Sequence, residues 1–193
     1  MSTSFTRMTA IALLGLSLAA LVSCKVDHSK ASREATELMS PTERLFYGEN
    51  RTQVQNDAGV TAIARDAARL GYVNVLRLLH AMGKNLNDPG PDGTNSVLAA
   101  SEAGQLETLR FLVEQTGADV RSKNGQRSTC LMLAVRGAHS EVALYLLDRG
   151  ANVNARSDAG TTALMYAAAS GRDSLVKLLA GRGANLHAKN NEG

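Results

Sequence analysis

Two cysteines, four histidines and six methionines are the residues of this 193-residue chain whose types could carry covalent, metal or redox chemistry. Cys130 could act as a nucleophile only with a base and an orienting group beside it, and nothing local supplies them. The plainer reading is a small core residue. His28, His80, His139 and His187 lie far apart and show no metal-ligand spacing, so no metal site is expected. His139 and His187 read as loop or hairpin positions. Met132 and Met165 stand 33 residues apart and read as core or groove lining, with copper or oxidant chemistry the remote alternative. A nucleophile elbow, a phosphate-binding P-loop and a zinc-binding helix motif are all absent. Gly181-Arg182-Gly183 opens a GxGxxG pattern that ends at Leu186. No cofactor is implied, and the chain is not expected to be an enzyme.

The elements that position these residues follow from composition. Apolar residues make up 44% of the chain, with no Trp, three Phe and four Tyr. A core must therefore be built from Ala, Leu and Val, which suits close-packed helices better than an aromatic-filled sandwich or barrel. A net charge of +3 is too small to demand nucleic acid as a partner. Two cysteines allow at most one bridge, which excludes a disulfide framework.

Arg7 supplies a positive n-region, and Ala10 to Val22 is an apolar run of 13 residues ending at Ser23 and Cys24. A helix of that length spans about 20 Å, short of a ~30 Å hydrocarbon core, so it reads as a secretory signal rather than a permanent span. Leu21-Val22-Ser23-Cys24 resembles the bacterial lipobox. That resemblance implies cleavage after residue 23, lipid on the Cys24 thiol, and a free Cys130. Several acyl chains would anchor the protein stably to a membrane. Lys25 stands where an inner-membrane lipoprotein often has Asp, which points to the outer membrane by the enteric sorting convention. Residues 24 to 39, rich in charge and Ser/Thr, read as a tether.

Self-similarity organises the rest. Gly117-Ala118-Asp119-Val120, Gly150-Ala151-Asn152-Val153 and Gly183-Ala184-Asn185-Leu186 recur every 33 residues, and Gly83-Lys84-Asn85-Leu86 lies 34 earlier. Each follows an apolar run of helical periodicity, as in Val142 to Leu147 and Leu175 to Leu179. Farther upstream lie Ser128-Thr129-Cys130-Leu131-Met132-Leu133-Ala134 and Thr161-Thr162-Ala163-Leu164-Met165-Tyr166-Ala167. At these residues the chain resembles the ankyrin repeat. The resemblance implies an all-α solenoid of helix-turn-helix repeats joined by hairpin loops, with repeats at 57–89, 90–123, 124–156 and 157–189. Residues 190–193 would begin another. Because Leu175, Val176, Leu178 and Leu179 look like an internal repeat, the C-terminal end is expected to be incomplete or covered.

The residue types fit local needs. Thr129, Thr162 and Asn95 can cap first helices, and Gly83, Gly117, Gly150 and Gly183 suit the left-handed turn that ends a helix. Ala67-Ala68, Ala100, Ala134 and Ala167-Ala168 remove bulk where paired helices approach. Ser40-Pro41-Thr42-Glu43 is a capping box opening a helix with Leu45, Phe46 and Tyr47, expected to cap the first repeat within 40–56. The consensus Pro gives way to Cys130 and Ala163 and the consensus His to Met132 and Met165, so these repeats should be less rigid. Arg127 takes a hairpin Gly position, which leaves that turn's conformation open. Repeat one is the most irregular.

Arg121, Lys123, Arg127, Arg136 and Arg156 fall on the hairpins and first-helix positions bounding repeat three, whereas Asp88, Asp92 and Glu102 surround repeat two. The plain account is that hairpin charges solvate an exposed edge. The functional account is a polarised groove for a protein partner with an acidic surface, made by these residues with Gln126, Ser128, Asp158 and Thr94. The preferred reading is a non-enzymatic, lipid-anchored, periplasm-facing module in the bacterial envelope that recognises another envelope protein, whether to inhibit, localise or neutralise it. Two alternatives stand beside it: a redox-protective or enzymatic envelope protein using Cys130 and the methionines, and a cytosolic-side adaptor with an uncleaved N-terminal anchor.

Overall fold

The computed structural model describes residues 39–50 and 57–193. The expected signal peptide and all of the tether but its last residue lie outside the described residues. Nine helices occur among the described residues: α1 (Pro41–Asn50), α2 (Asp57–Leu70), α3 (Val73–Ala81), α4 (Ser96–Glu102), α5 (Leu106–Gln115), α6 (Cys130–Arg136), α7 (Ser140–Asp148), α8 (Ala163–Ala169) and α9 (Asp173–Gly181).

The inner helices begin where the sequence places a cap. Asn95 Oδ1 accepts the Leu98 N–H at 3.1 Å, and the Thr129 and Thr162 hydroxyls accept the Met132 and Met165 N–H groups at 3.3 Å each. The methionine sulfurs complete the exchange, accepting the Thr129 N–H at 3.5 Å and the Thr162 N–H at 3.4 Å. A thioether is a weak acceptor, so the Met side chains close these caps with less energy than a carboxylate would. The repeat-ending glycines Gly83, Gly117, Gly150 and Gly183 all have positive φ.

Inner helices α2, α4, α6 and α8 pack on one another in chain order, and each pairs with the outer helix that follows it. Ala67, Ala68, Ala100, Ala134 and Ala167 are fully buried at these contacts, with Leu76, Leu98, Leu109, Leu131 and Leu146 filling the space between the two layers. Ala168 is an exception to the small-residue expectation. It is exposed, although Ser101 and Val135 at the same repeat position are buried beneath the next repeat. Leu164 and Met165 are likewise only half-buried where Leu131 and Met132 are covered, and Leu186 is 65% exposed.

Repeat one departs from the others for a local reason. Thr61 lies inside α2 and donates to the Asp57 carbonyl at 3.0 Å instead of capping. Residues 57–60, which align with the later hairpins, are helical. On the N-terminal side, α1 packs against α3, burying Tyr47 and setting Phe46 edge-on to Tyr72 at 5.3 Å.

Candidate functional site

Among the described residues, three hairpins project from the stack, at 90–93, 124–127 and 157–160, and a turn at 190–193 follows them. The first residue of each hairpin donates its N–H across the turn, Gly90 to Thr94 O at 2.9 Å, and Asn124 to Ser128 O and Ser157 to Thr161 O at 3.1 Å. Successive hairpins, and the last of them and the turn, are joined by one backbone bond per repeat: Gly125 N–H to Asp92 O at 2.9 Å, and Asp158 N–H to Gln126 O and Asn191 N–H to Ala159 O at 3.1 Å. The approach is close. A Cβ on Gly93, whose φ is +74°, would stand 2.6 Å from the Gly125 nitrogen.

Arg127 answers the question its sequence position raised. Its φ is +56°, so it adopts the left-handed turn of Gly93 and Gly160 despite carrying a side chain. That conformation costs an L-residue about 1–2 kcal/mol. The turn still closes, with the Arg127 N–H on Asn124 O at 2.9 Å, and the next hairpin is tied to the adjacent residue through the Asp158 N–H on Gln126 O at 3.1 Å.

Four of the five basic residues converge. Arg121, Lys123, Arg127 and Arg156 line one concavity of about 400 Å³ between the turns and hairpins of adjacent repeats, with Thr129 and Asn154 also in its wall. Asp158 stands 3.9 Å from Arg127 at its edge. Arg136 is placed elsewhere: near the C-terminal end of α6 it pairs with Glu102 at the same end of α4, at 2.5 Å. Asp92 faces Arg65 at 3.3 Å, and its carboxyl is held below the usual range by hydrogen bonds from Thr94, with Arg65 adding to the effect. The two site carboxylates of repeat two are thus each matched by an arginine, so the acidic half of the expected groove is largely neutralised. Thr94 and Ser128 are buried under their hairpins and present almost no surface. Gln126 is exposed at its hairpin tip, its N–H bound by Asn124 Oδ1 at 3.1 Å.

Sequence reasoning missed Arg65, Thr129 and Asn154 as members of this surface. One signal was readable: Arg121 occupies the repeat position held by Asn87 and Asn154. His139 is more than a loop residue. Its Nε2 lies 3.0 Å from Glu102 O, clasping α7 to the preceding repeat, as Gln105 Nε2 does at 3.2 Å from Arg69 O.

Cys130 is fully buried, and that burial pushes its thiol up to about 12. At neutral pH it presents neither a thiolate nor an open approach, the two requirements for nucleophilic or redox use. Among the described residues, no group of three or more His, Cys, Asp or Glu side chains could hold a metal ion, and no helix is long and apolar enough to cross a membrane.

A family model described as ankyrin repeats in three copies matches residues 98–190. The human Notch-regulated ankyrin repeat-containing protein is 33% identical over 91 residues, which are 45% of this chain and 79% of that protein. Its Xenopus tropicalis counterpart is 32% identical over the same shares, and Notch-regulated ankyrin repeat-containing protein A of Danio rerio is 34% identical over 65 residues, 34% of this chain and 57% of its own. Stacked helix pairs, a hairpin per later repeat and these relatives agree: the chain belongs to the ankyrin-repeat family.

Proposed function

We propose that this chain is a non-enzymatic protein-binding module, held in the bacterial envelope by lipid on Cys24, facing the periplasm from the outer membrane, that recognises an acidic surface of another envelope protein. The observation that carries the binding part is the gathering of Arg121, Lys123, Arg127 and Arg156 at one edge of the solenoid, where among the described residues only Asp158 stands within ion-pair reach of any of them. Arginine forks can hold carboxylates bidentately, and stacked hairpins present several at a fixed spacing. Support for anchoring is the run ending in Leu21-Val22-Ser23-Cys24.

A pull-down from envelope extracts with the full chain tests the first part. Replacing Arg127 and Arg156 by Glu should remove the captured partner and the salt dependence of its binding while leaving the melting temperature nearly unchanged, because both side chains are exposed. Capture that survives this reversal defeats the reading. Labelling with radioactive palmitate, lost in Cys24→Ser, tests the anchor.

A further inference from the structure

The basic concavity has a structural origin that the repeats themselves reveal. At the position after the repeat-ending turn, Asn154 clamps the next repeat: its Nδ2 donates to Gly183 O at 3.0 Å and its Oδ1 accepts the Asn185 N–H at 2.7 Å. Asn87, at the same position in repeat one, donates to Thr116 O at 3.4 Å. Arg121 stands at this position in repeat two, and its guanidinium lies over Gly150. In place of a polar clamp between the turns at 117–123 and 150–156, there is a cleft with a cation in its wall.

The charge balance indicates what the cleft takes. Four cations line it, while Asp119, bound to the Arg121 N–H at 2.8 Å, and Asp158 are the carboxylates held against lining residues. Among the described residues, four positive against two negative charges leave a net charge of +2, which matches in size the charge of about −1.5 to −2 on a phosphate monoester near neutral pH. A single carboxylate would leave one cation unmatched. Thr129, 7% exposed, uses its oxygen to accept from Met132, which leaves the hydroxyl proton to donate into the cleft. The volume of about 400 Å³ falls in the range of small-ligand sites and leaves room for an organic group beside the phosphate.

We infer that the cleft between the 117–123 and 150–156 turns binds a phosphate monoester, with Arg121, Lys123 and Arg156 as its charge partners and Thr129 as a neutral donor. This goes beyond protein recognition and is tested without a protein partner. Titration of the full chain with glycerol phosphate at low salt should saturate at one site. Vesicles containing phosphatidic acid carry the same group on a lipid: saturation by the soluble ester alone assigns a soluble ligand, and tighter binding to the vesicles than to neutral ones assigns a headgroup.

Arg121→Asn should weaken glycerol phosphate binding at least tenfold and raise the melting temperature, because the new Asn can clamp Gly150 as Asn154 clamps Gly183. A lost ligand in a more stable protein cannot be attributed to unfolding. Arg156→Gln should also weaken binding tenfold, whereas Arg136→Gln, outside the cleft, should leave it unchanged. No saturation at millimolar ester, or equal affinity in wild type and Arg121→Asn, overturns the assignment. Loss of the envelope partner with ester binding intact would defeat only the protein-binding proposal.

Discussion

Glu43 on α1 reaches the start of α3 and binds Asn74 twice, its Oε1 accepting the backbone N–H at 3.1 Å and its Oε2 the side-chain Nδ2 at 3.2 Å. The same carboxylate accepts the Ser40 N–H at 2.9 Å, while the Ser40 hydroxyl accepts the Glu43 N–H at 3.2 Å. One side chain therefore closes a capping box on its own helix and caps a second helix, one of whose orphan N–H groups it satisfies. Glu43 is 5% exposed, so no water replaces these bonds cheaply.

Replacing Glu43 by Ala should destabilise the N-terminal end by about 1–2 kcal/mol, the range of a lost helix cap. Burial pushes the Glu43 carboxyl up, but the bonds from Ser40 and Asn74 together outweigh it and leave the group below its ordinary value. A carboxyl depressed in the folded state contributes stability that is present above the unfolded value and lost as pH falls through the folded one. The melting-temperature difference between wild type and Glu43→Gln should accordingly be constant near neutrality and shrink below about pH 4.5, as thermal melts across pH will show.

Ala138 has φ +64° at the end of α6, where the other repeats carry Gly71, Gly104 and Gly171. A left-handed Ala costs about 1–2 kcal/mol, and Gly gives back roughly 0.4–1 kcal/mol through its freer unfolded chain. Ala138→Gly should raise the urea midpoint by the equivalent of about 0.5–1 kcal/mol without changing the slope.

Gly93→Ala and Gly83→Ala should differ. Both positions have positive φ, but an added Cβ meets nothing within 4 Å at Gly83 and stands 2.6 Å from backbone at Gly93. Urea titration should show a loss of about 1 kcal/mol for Gly83→Ala from backbone strain alone. Gly93→Ala should cost more, and hydrogen exchange at the Gly125 amide should speed up because the bond to Asp92 O is forced apart.

Peptide mapping after alkylation at pH 8 should find Cys130 unmodified in the folded chain and fully modified in urea. The thiol is fully buried, and that burial pushes it up to about 12. Modification of the native protein at the rate of a free thiol would show that the site opens.

What the sequence by itself determined is what nearest neighbours along the chain decide. The Thr129, Thr162 and Asn95 caps, the Ser40–Glu43 box and the left-handed glycines are bonds and torsions within a few residues, and the 33-residue period reports those of the repeats directly. Repeat one blurred that period because residues 57–60 continue a helix instead of turning. The binding surface is of another kind, since its members meet across repeats. Five basic residues near one another in sequence were separable only after stacking: Glu102 lies 34 residues from Arg136 and takes it onto the helix ends, while Arg65 lies 27 residues from Asp92 and neutralises it. Burial of Thr94 and Ser128, and the cleft that opens where Arg121 replaces a clamping Asn, likewise exist only because one repeat is laid on the next. Those contacts depend on the offset between stacked helices and hairpins, a distance that residue types at a spacing do not specify.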